Sequence, residues 1–301
     1  MKEQLEKAAA CISAGQPLAD ADVAALAETN DILTLGMLGD EARRSRHGAD
    51  TTFVRVADVR VPLADDAVID IPAAAAEVRI AGQADSFDAL MPHLRRVVDA
   101  ARGVPVSAFS LEALEAQAAA GGRRLADLLA AVRDSGVARV ADAALDRLQH
   151  AEMSLEQVRR AGLGLARLTV QHTASTAARL DHIIRARVLQ QSLGWIESFA
   201  PLGRSWAPGS SSTGYDDVRQ VALARLLIDN IASIQVDWAR YGPKLAQVAL
   251  TVGADDLDGV SPLDETGEGR RRSPLEEVRR NILAAGLVPI ERDGARRRVI
   301  A

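Results

Sequence analysis

The chain has 301 residues, of which 48% are hydrophobic and 26% are charged. This composition is typical of a globular protein with one large domain or two small ones. The formal net charge of -5 gives no reason to expect nucleic acid or an anionic membrane surface as a partner. The single cysteine, Cys11, excludes an intramolecular disulfide and any site that needs three or four thiolates from this chain.

The N-terminal segments Lys2–Ala14, Asp20–Glu28 and Asp31–Arg46 predict three helices, with Asp20 and Asn30 or Asp31 as N-caps. The first helix is charged and amphipathic and lacks the uninterrupted apolar core of a signal peptide. No apolar run in the chain approaches the ~20 residues of a membrane span. We therefore expect a cytoplasmic protein without a membrane span, in which residues 1–50 form an N-terminal helical extension.

Residues 51–301 alternate predicted strands with predicted helices, which is the pattern of a parallel sheet covered by helices. The predicted strands are Thr51–Val61, Glu77–Gly82, Val104–Phe109, Val137–Val140, Leu165–Gln171, Trp195–Pro201, Ile231–Trp238 and Thr251-Val252. A long polar loop is predicted at Gly203–Gly214. The expected fold class is α/β, a (β/α) TIM-like barrel over residues 51–301, with an open doubly wound sheet as the alternative.

The segment Ile231–Gly259 predicts a strand, a turn, a helix and an acidic loop in succession. Pro243 suits the first position of a helix, and Lys244–Leu250 has apolar residues at helical spacing. Two glycines then bracket three carboxylates, which are Asp255, Asp256 and Asp258. Because loops after barrel strands line the active site, we expect these carboxylates to bind a hard cation or ribose hydroxyls. The alternative is that they bond only to loop amides and cap helices.

Three further residues are candidates for ligand binding. Lys244 and Gln247 begin the helix beside the acidic loop and would reach a carboxylate or phosphate, or form a salt bridge with the loop. His172 follows a predicted strand, where it would contact a ligand or serve as a hydrogen-bonded rim residue. No histidine pair has metal-ligand spacing, so no metal site is expected, and the catalytic residues are unknown. Arg225 and Asp229 predict an intrahelical ion pair.

The C-terminal third of the sequence resembles a known family. GPKLAQVAL followed by GADDLDG resembles the C-terminal signature of the radical S-adenosylmethionine enzymes of menaquinone biosynthesis by the futalosine route. These are aminofutalosine synthase and dehypoxanthine futalosine cyclase. The similarity extends upstream through Ser212–Trp238 and downstream to Ser273–Asp293. It implies a barrel that uses a 4Fe–4S cluster and S-adenosylmethionine.

Parts of this family's cofactor apparatus differ in the sequence. The family has cysteines spaced CxxxCxxC after the first barrel strand, and Pro62–Pro72 at that place contains none. The glycine-rich turn after the second strand reads Gly82-Gln83-Ala84-Asp85, and a second glycine-rich segment reads Val140–Leu145. Of a histidine–glycine–x–x–glutamate–threonine turn, His172 is kept. We therefore expect a degenerate family member with no cofactor, neither a 4Fe–4S cluster nor S-adenosylmethionine.

Two functions of different classes are consistent with this resemblance. One is a non-catalytic paralogue, a pseudoenzyme that binds an active radical S-adenosylmethionine paralogue or a futalosine-type intermediate. The other is a non-radical lyase or hydrolase acting on a menaquinone-pathway intermediate, with Asp256, Asp258, Lys244 and His172 as acid–base candidates. An intact radical enzyme that uses a partner's cluster is disfavoured by the changed glycine segments. A homodimer is left open.

Overall fold

The computed structural model describes residues 2–14, 16, 18–64, 66–82, 86–173, 175–206, 213–263 and 273–299. Its helices are α1 (Lys2–Ser13), α2 (Asp20–Glu28), α3 (Ile32–His47), α4 (Phe87–Ala100), α5 (Leu111–Ala120), α6 (Leu125–Asp134), α7 (Ala151–Arg160), α8 (Thr176–Leu193), α9 (Gly214–Leu227), α10 (Trp238–Leu250) and α11 (Pro274–Ala284). Its strands are β1 (Asp50–Val61), β2 (Glu77–Gly82), β3 (Val106–Ser110), β4 (Arg139–Ala144), β5 (Gly164–Leu165), β6 (Leu168–Thr173), β7 (Ser198–Trp206), β8 (Ser233–Asp237), β9 (Asp256–Val260) and β10 (Val288–Glu291).

The N-terminal helices begin at residues that satisfy their free backbone amides. The predicted N-cap Asp31 is confirmed, because its carboxylate accepts from the Thr34 amide at 3.1 Å and from the Thr34 hydroxyl at 2.6 Å. The predicted N-cap Asp20 is wrong, since Ala19 is the N-cap of α2. Asp22 takes part instead, and its carboxylate accepts from the Ala19 amide at 3.0 Å.

The strands form a closed parallel barrel, as the predicted TIM-like fold requires, and that prediction is confirmed. The order around the barrel is β1-β2-β3-β4-β6-β7-β8-β9, and pairing of β9 with β1 closes it. β5 is a short addition to β4, and β10 pairs with Asp50–Phe53 at the start of β1. Because all paired strands run in parallel, their C-terminal ends meet at one end, which we call the mouth.

The prediction of an acidic loop is partly wrong, because much of this segment is a barrel strand. β9 runs from Asp256 to Val260, and Asp256 and Asp258 carry buried side chains two residues apart on the same face. Carboxylates in a strand are unusual, which is why the segment resembles a loop in the sequence. The predicted polar loop Gly203–Gly214 is also partly wrong, since β7 continues through Trp206 and residues 207–212 lie outside the described chain.

The predicted pair of Arg225 with Asp229 is wrong. The buried Arg225 side chain donates from Nε to the Gly253 carbonyl at 2.7 Å and pairs with the Asp255 carboxylate. Asp229 pairs with Arg187 instead, at 3.3 Å. A Cβ at Gly253 would come within 2.6 Å of Arg225 Cβ, so a glycine is needed there for close packing.

α10 contains the predicted turn and the predicted helix. It begins at Trp238, after Asp237 accepts from the Arg240 amide at 3.0 Å. Gly242 breaks it with φ 72 and ψ 169, and Pro243 follows at the start of the second part. The sequence therefore predicted the break correctly but assigned Trp238, the first residue of α10, to the preceding strand.

The bottom of the barrel is filled by a buried ion pair. Arg292, which follows β10, donates to both carboxylate oxygens of Asp256 at 2.7 and 2.6 Å. Gln235 and Thr52 donate to the same carboxylate at 2.6 and 2.5 Å. Arg292 and Asp256 are 4% and 0% exposed, so this end of the barrel has a buried polar core in which the Asp256 carboxylate accepts four hydrogen bonds. No helix in the described part of the chain is long and apolar enough to cross a membrane.

Candidate ligand site in the barrel mouth

A cavity of about 410 Å³ opens at the mouth of the barrel, a volume within the usual range for small-molecule sites. Seven charged side chains line it, contributed by or adjoining β1, β2, β4, β6, β7 and β8: Asp58, Arg60, Arg79, Asp142, Arg167, Arg204 and Asp237. The cavity is therefore a polar site that carries both signs of charge.

The floor of the cavity is a buried network of arginines and carboxylates. Arg79 donates to Glu77 Oε1 at 3.0 Å and to Asp258 Oδ1 at 2.8 Å. Arg167 pairs with the other oxygen of Asp258 and, at 3.5 Å, with Asp142 Oδ2. These side chains come from β2, β4, β9 and the start of β6, so the network ties opposite sides of the barrel together.

The charges of this floor shift its ionisation. Although burial acts in the opposite direction, the Arg79 guanidinium and the Ser107 hydroxyl hold the pKa of Glu77 below its usual range. Burial, together with the neighbouring Arg79, lowers the pKa of Arg167 to about 10. Glu77 and Arg167 therefore both stay charged at neutral pH.

Glu112 does not line the cavity, but it lies close enough to Asp142 of the floor for the two carboxyl groups to influence each other. Asp142 is 3% exposed, and its Oδ2 accepts from Arg204 Nη1 at 2.5 Å. Its Oδ1 is buried and has no hydrogen-bond partner among the described residues. Burial and the charge of Asp142 raise the pKa of Glu112, whose carboxyl group also accepts from the Ala144 amide at 3.3 Å. Glu112 is therefore a group that holds a proton more readily than an ordinary glutamate.

The rim carries charges that remain accessible. Arg204 is 35% exposed at its side chain, and Asp142 is its carboxylate partner. Arg60 and Asp58 are exposed near the end of β1, and Arg60 forms no ion pair with the residues the structure describes. Because a guanidinium has five N–H donors, Arg204 and Arg60 both keep donors for a ligand.

The three predicted acidic ligands do not act together. Asp255 points away from the mouth to Arg225, and Asp256 lies at the bottom of the barrel, where it pairs with Arg292. Asp258 is under the cavity but is bonded to two arginines, Arg79 and Arg167. All three carboxylates therefore bond to groups within the protein, as in the alternative stated from the sequence. Their main partners, however, are arginines rather than loop amides. Their role in ligand binding stays a prediction.

His172 lies where the sequence predicts, near the C-terminal end of β6. Asp146 accepts from the backbone amides of Gln171 and His172 at 2.6 and 2.9 Å, and its carboxylate is 3.4 Å from His172 Nδ1. The imidazole is 35% exposed at the rim but is not part of the cavity wall. It is positioned by Asp146, and a role in binding stays a prediction.

Lys244 and Gln247 are not brought to the mouth. Both follow the break at Gly242 in α10, which packs outside β8 and β9. Lys244 is exposed, Gln247 is half-buried, and neither lines the cavity. The sequence placed them beside the acidic segment correctly, but a helix that covers a barrel strand presents these positions to the outside.

Sequence reasoning missed the arginines of the mouth. Arg79 stands between valine and isoleucine in the predicted second strand, and Arg167 stands between alanine and leucine in the predicted strand Leu165–Gln171. A charged residue inside an apolar strand is a usable signal, because burial of a charge requires a partner. Asp142 and Arg204 gave a weaker signal, since Asp142 follows the predicted strand Val137–Val140 and Arg204 falls in the predicted polar loop, where charge is common.

Comparison with known proteins agrees with this fold. Residues 204–293 match the family described as the CofH/MqnC C-terminal region. This match spans less than a third of the chain. The resemblance predicted from the sequence to the futalosine-route enzymes is confirmed.

Curated relatives cover different shares of the chain. The aminodeoxyfutalosine synthase of Thermus thermophilus is 38% identical over 42% of this chain and 38% of its own length. The 5-amino-6-(D-ribitylamino)uracil–L-tyrosine 4-hydroxyphenyl transferase of Archaeoglobus fulgidus is 38% identical over 40% of this chain and 39% of its own length. The chain thus matches about two-fifths of these relatives. The corresponding transferase of Methanosphaerula palustris is 24% identical over 89% of this chain and 90% of its own length.

Two solved structures share the barrel. The FeFe-hydrogenase maturase HydG from Carboxydothermus hydrogenoformans aligns with a TM-score of 0.63 and 11% identity, covering 96% of this chain and 80% of that chain. Methylornithine synthase (PylB) aligns with a TM-score of 0.62 and 12% identity, covering 94% and 97%. At these identities the likeness shows the fold alone.

The expectation that the chain has no cofactor is corrected by these comparisons. The family and the structural neighbours are radical S-adenosylmethionine enzymes, which use 4Fe–4S clusters and S-adenosylmethionine. The cysteine ligand set itself does not fit this chain, because residues 62–76 contain no cysteine and Cys11 lies in α1. Gly82 also has another role, since a Cβ there would lie 1.8 Å from the Val61 carbonyl oxygen.

Proposed function

We propose that the chain binds a small polar molecule of the futalosine type in the barrel mouth and acts as a binding protein of that pathway. The supporting observation is the arrangement of the four arginines. Arg79 and Arg167 are neutralised in the floor, whereas Arg204 and Arg60 face the cavity with unused donors. A ligand with a carboxylate or phosphate group would bind to these two arginines.

The rim carboxylates favour a ligand that also has donor groups. Asp58 and Asp237 line the same cavity, and both lie close enough to Arg79 to influence its ionisation. Hydroxyl or amino groups of a ligand would donate to these oxygens, while its anionic group binds the arginines. A nucleoside-like compound with an anionic group has both kinds of group. The relatives named aminodeoxyfutalosine synthase motivate this choice of compound.

The alternative is a non-radical lyase or hydrolase that acts on such an intermediate. Glu112 supports it, because burial and Asp142 raise the pKa of this carboxyl group beside the mouth. A protonated Glu112 would serve as a general acid toward a leaving group in the cavity. The unpartnered Oδ1 of Asp142 is an acceptor for a ligand group in the same place.

Isothermal titration calorimetry with aminodeoxyfutalosine tests the binding proposal. We expect measurable binding to the wild type and roughly 10–100-fold weaker binding to Arg204→Gln, since a hydrogen bond to a charged group contributes about 1.5–3 kcal/mol. Arg44→Gln is the matched control, because Arg44 is 44% exposed on α3 and pairs at 2.7 Å with Asp40 far from the mouth. Equal affinity in all three proteins would contradict the proposed site.

Product analysis by mass spectrometry distinguishes the alternative. If the wild type converts the compound and Glu112→Gln binds it without converting it, the protein is a non-radical lyase or hydrolase that uses Glu112. If both proteins return the compound unchanged, binding without catalysis is supported.

A further inference from the structure

A second cavity lies at the opposite end of the barrel from the mouth. It has a volume of about 290 Å³ and is enclosed between the N-terminal extension and helices α8 and α9. A cavity of roughly 150 Å³ is enough for a benzene ring, so this one would hold a ring with a substituent. Ile12, Gln16 and Leu18 form its wall on the side of the N-terminal extension.

One part of the cavity wall is apolar. Ile12 and Leu18 come from the N-terminal extension, Ala42 from α3, and Leu226 and Leu227 from the last turn of α9. Four of these five side chains have branched aliphatic groups, so this part of the wall offers dispersion contacts and no hydrogen bonds. A wholly hydrated inorganic ion would gain nothing from it.

The other part of the wall carries an excess of positive charge. Arg46, Arg187 and Arg225 line the cavity together with a single carboxylate, Asp229. Arg225 is fully neutralised, because it pairs with Asp255 and donates to two backbone carbonyls. Asp229 is 3.3 Å from Arg187 and is half exposed.

Two of these arginines have unused donors. Arg46 donates once, to the Ile228 carbonyl at 3.1 Å, and forms no ion pair within the part of the chain that the structure describes. Arg187 Nε is buried and has no hydrogen bond of acceptable geometry there, despite its closeness to Asp229. Guanidinium N–H groups that lack a well-aligned acceptor would donate to an anion in the cavity.

We propose that this basal cavity, lined by Ile12, Leu18, Arg46, Arg187 and Leu227 among others, binds a small organic acid with an apolar body. The carboxylate contacts Arg46 and Arg187, and the apolar body packs against the aliphatic wall. The site is independent of the mouth, because it shares no lining residue with it. Binding would join the N-terminal extension to the barrel and stabilise both.

The test uses cyclohexanecarboxylate as the probe and its uncharged amide, cyclohexanecarboxamide, as the matched control. Stability is measured by urea unfolding of the full chain with each compound. At ten times the dissociation constant, the carboxylate should raise the ratio of folded to unfolded protein about elevenfold. The amide should have no such effect, and inorganic phosphate at the same concentration should have little.

Substituted proteins show where on the chain the carboxylate binds. The doubly substituted Arg46→Gln/Arg187→Gln protein should lose the response to the carboxylate, whereas Arg44→Gln on the same helix as Arg46 should keep it. Arg204→Gln should also keep it, which separates this site from the mouth. An equal response in the doubly substituted protein, an equal response to the amide or to phosphate, or no response of the wild type would overturn the proposal.

Hydrogen exchange of the wild type gives a test that does not depend on the variants folding. The carboxylate should slow amide exchange around the end of α1, the end of α3 and the end of α9. Protection confined to the strand ends at the mouth would overturn the proposal.

Discussion

Replacement of Arg292 by methionine would test how far the buried ions hold the barrel closed. The change keeps a long side chain but removes both hydrogen bonds to Asp256, which are 2.7 and 2.6 Å long. Asp256 is fully buried, and its remaining donors are Gln235 at 2.6 Å and Thr52 at 2.5 Å, with Arg296 3.7 Å away. Removing one partner of a buried pair costs about 3–5 kcal/mol.

The pKa of Asp256 determines how the destabilisation by Arg292→Met changes with pH. In the wild type, burial acts to raise the pKa of Asp256, but Arg292, Arg296 and the Thr52 hydroxyl hold it well below the usual range. The ion pair therefore stabilises the fold above the unfolded pKa of about 3.9 and loses this effect as the pH falls below it. Without Arg292, burial raises the pKa of Asp256. As the pH falls from 7, the carboxylate therefore binds a proton, which removes the free-energy cost of burying its charge. The difference in the free energy of unfolding between wild type and Arg292→Met should therefore become smaller as the pH is lowered from 7 to 4.5.

Urea unfolding at both pH values measures this difference. The matched control is Arg44→Met, which breaks an exposed pair with Asp40 and should change the free energy of unfolding by less than ~1 kcal/mol. The double substitution Asp256→Leu/Arg292→Met should be less destabilised than Arg292→Met alone, because the Asp256 carboxylate is no longer buried without its main partner. A loss below about 1 kcal/mol for Arg292→Met at pH 7, or a difference that widens toward pH 4.5, would refute the reasoning.

Four further substitutions have definite expected outcomes. Gly82→Ala should destabilise the chain by roughly 3 kcal/mol, the upper end for overpacking, because its Cβ would meet the Val61 carbonyl; a urea midpoint like that of wild type would disprove the contact. Asp31→Ala should cost ~1 kcal/mol by removing the cap of α3, as measured by thermal unfolding. Arg225→Met should cost about 3 kcal/mol or more, while Asp229→Asn should change stability by less than ~0.5 kcal/mol. Equal changes in the free energy of unfolding for Arg225→Met and Asp229→Asn would instead support the pair of Arg225 with Asp229 that the sequence predicted.

The barrel could be predicted because its signals are local and repeated. Strands such as Glu77–Gly82 are bounded by turn residues, and each is followed by a segment with helical periodicity. The break at Gly242-Pro243 was also visible, since glycine and proline act through their own backbone preferences. These features do not depend on what the segment packs against.

The charged interior could not be predicted in the same way. Asp256 and Asp258 read as loop residues, because a strand with alternating carboxylates is stable only when arginines from distant segments neutralise it. Arg292 is 36 residues from Asp256, and Arg167 is 91 residues from Asp258. Pairing over such separations is set by the closed barrel, not by local pattern. For the same reason, Arg225 pairs with Asp255 rather than with Asp229, which lies beyond the end of α9.

The most direct test of the binding proposal is a crystal structure of the protein soaked with aminodeoxyfutalosine. The account predicts that the ligand occupies the mouth cavity, with an acceptor group about 2.7–3.2 Å from a guanidinium nitrogen of Arg204. A ligand bound elsewhere on the chain, or in the mouth without contact to Arg204 or Arg60, would contradict it.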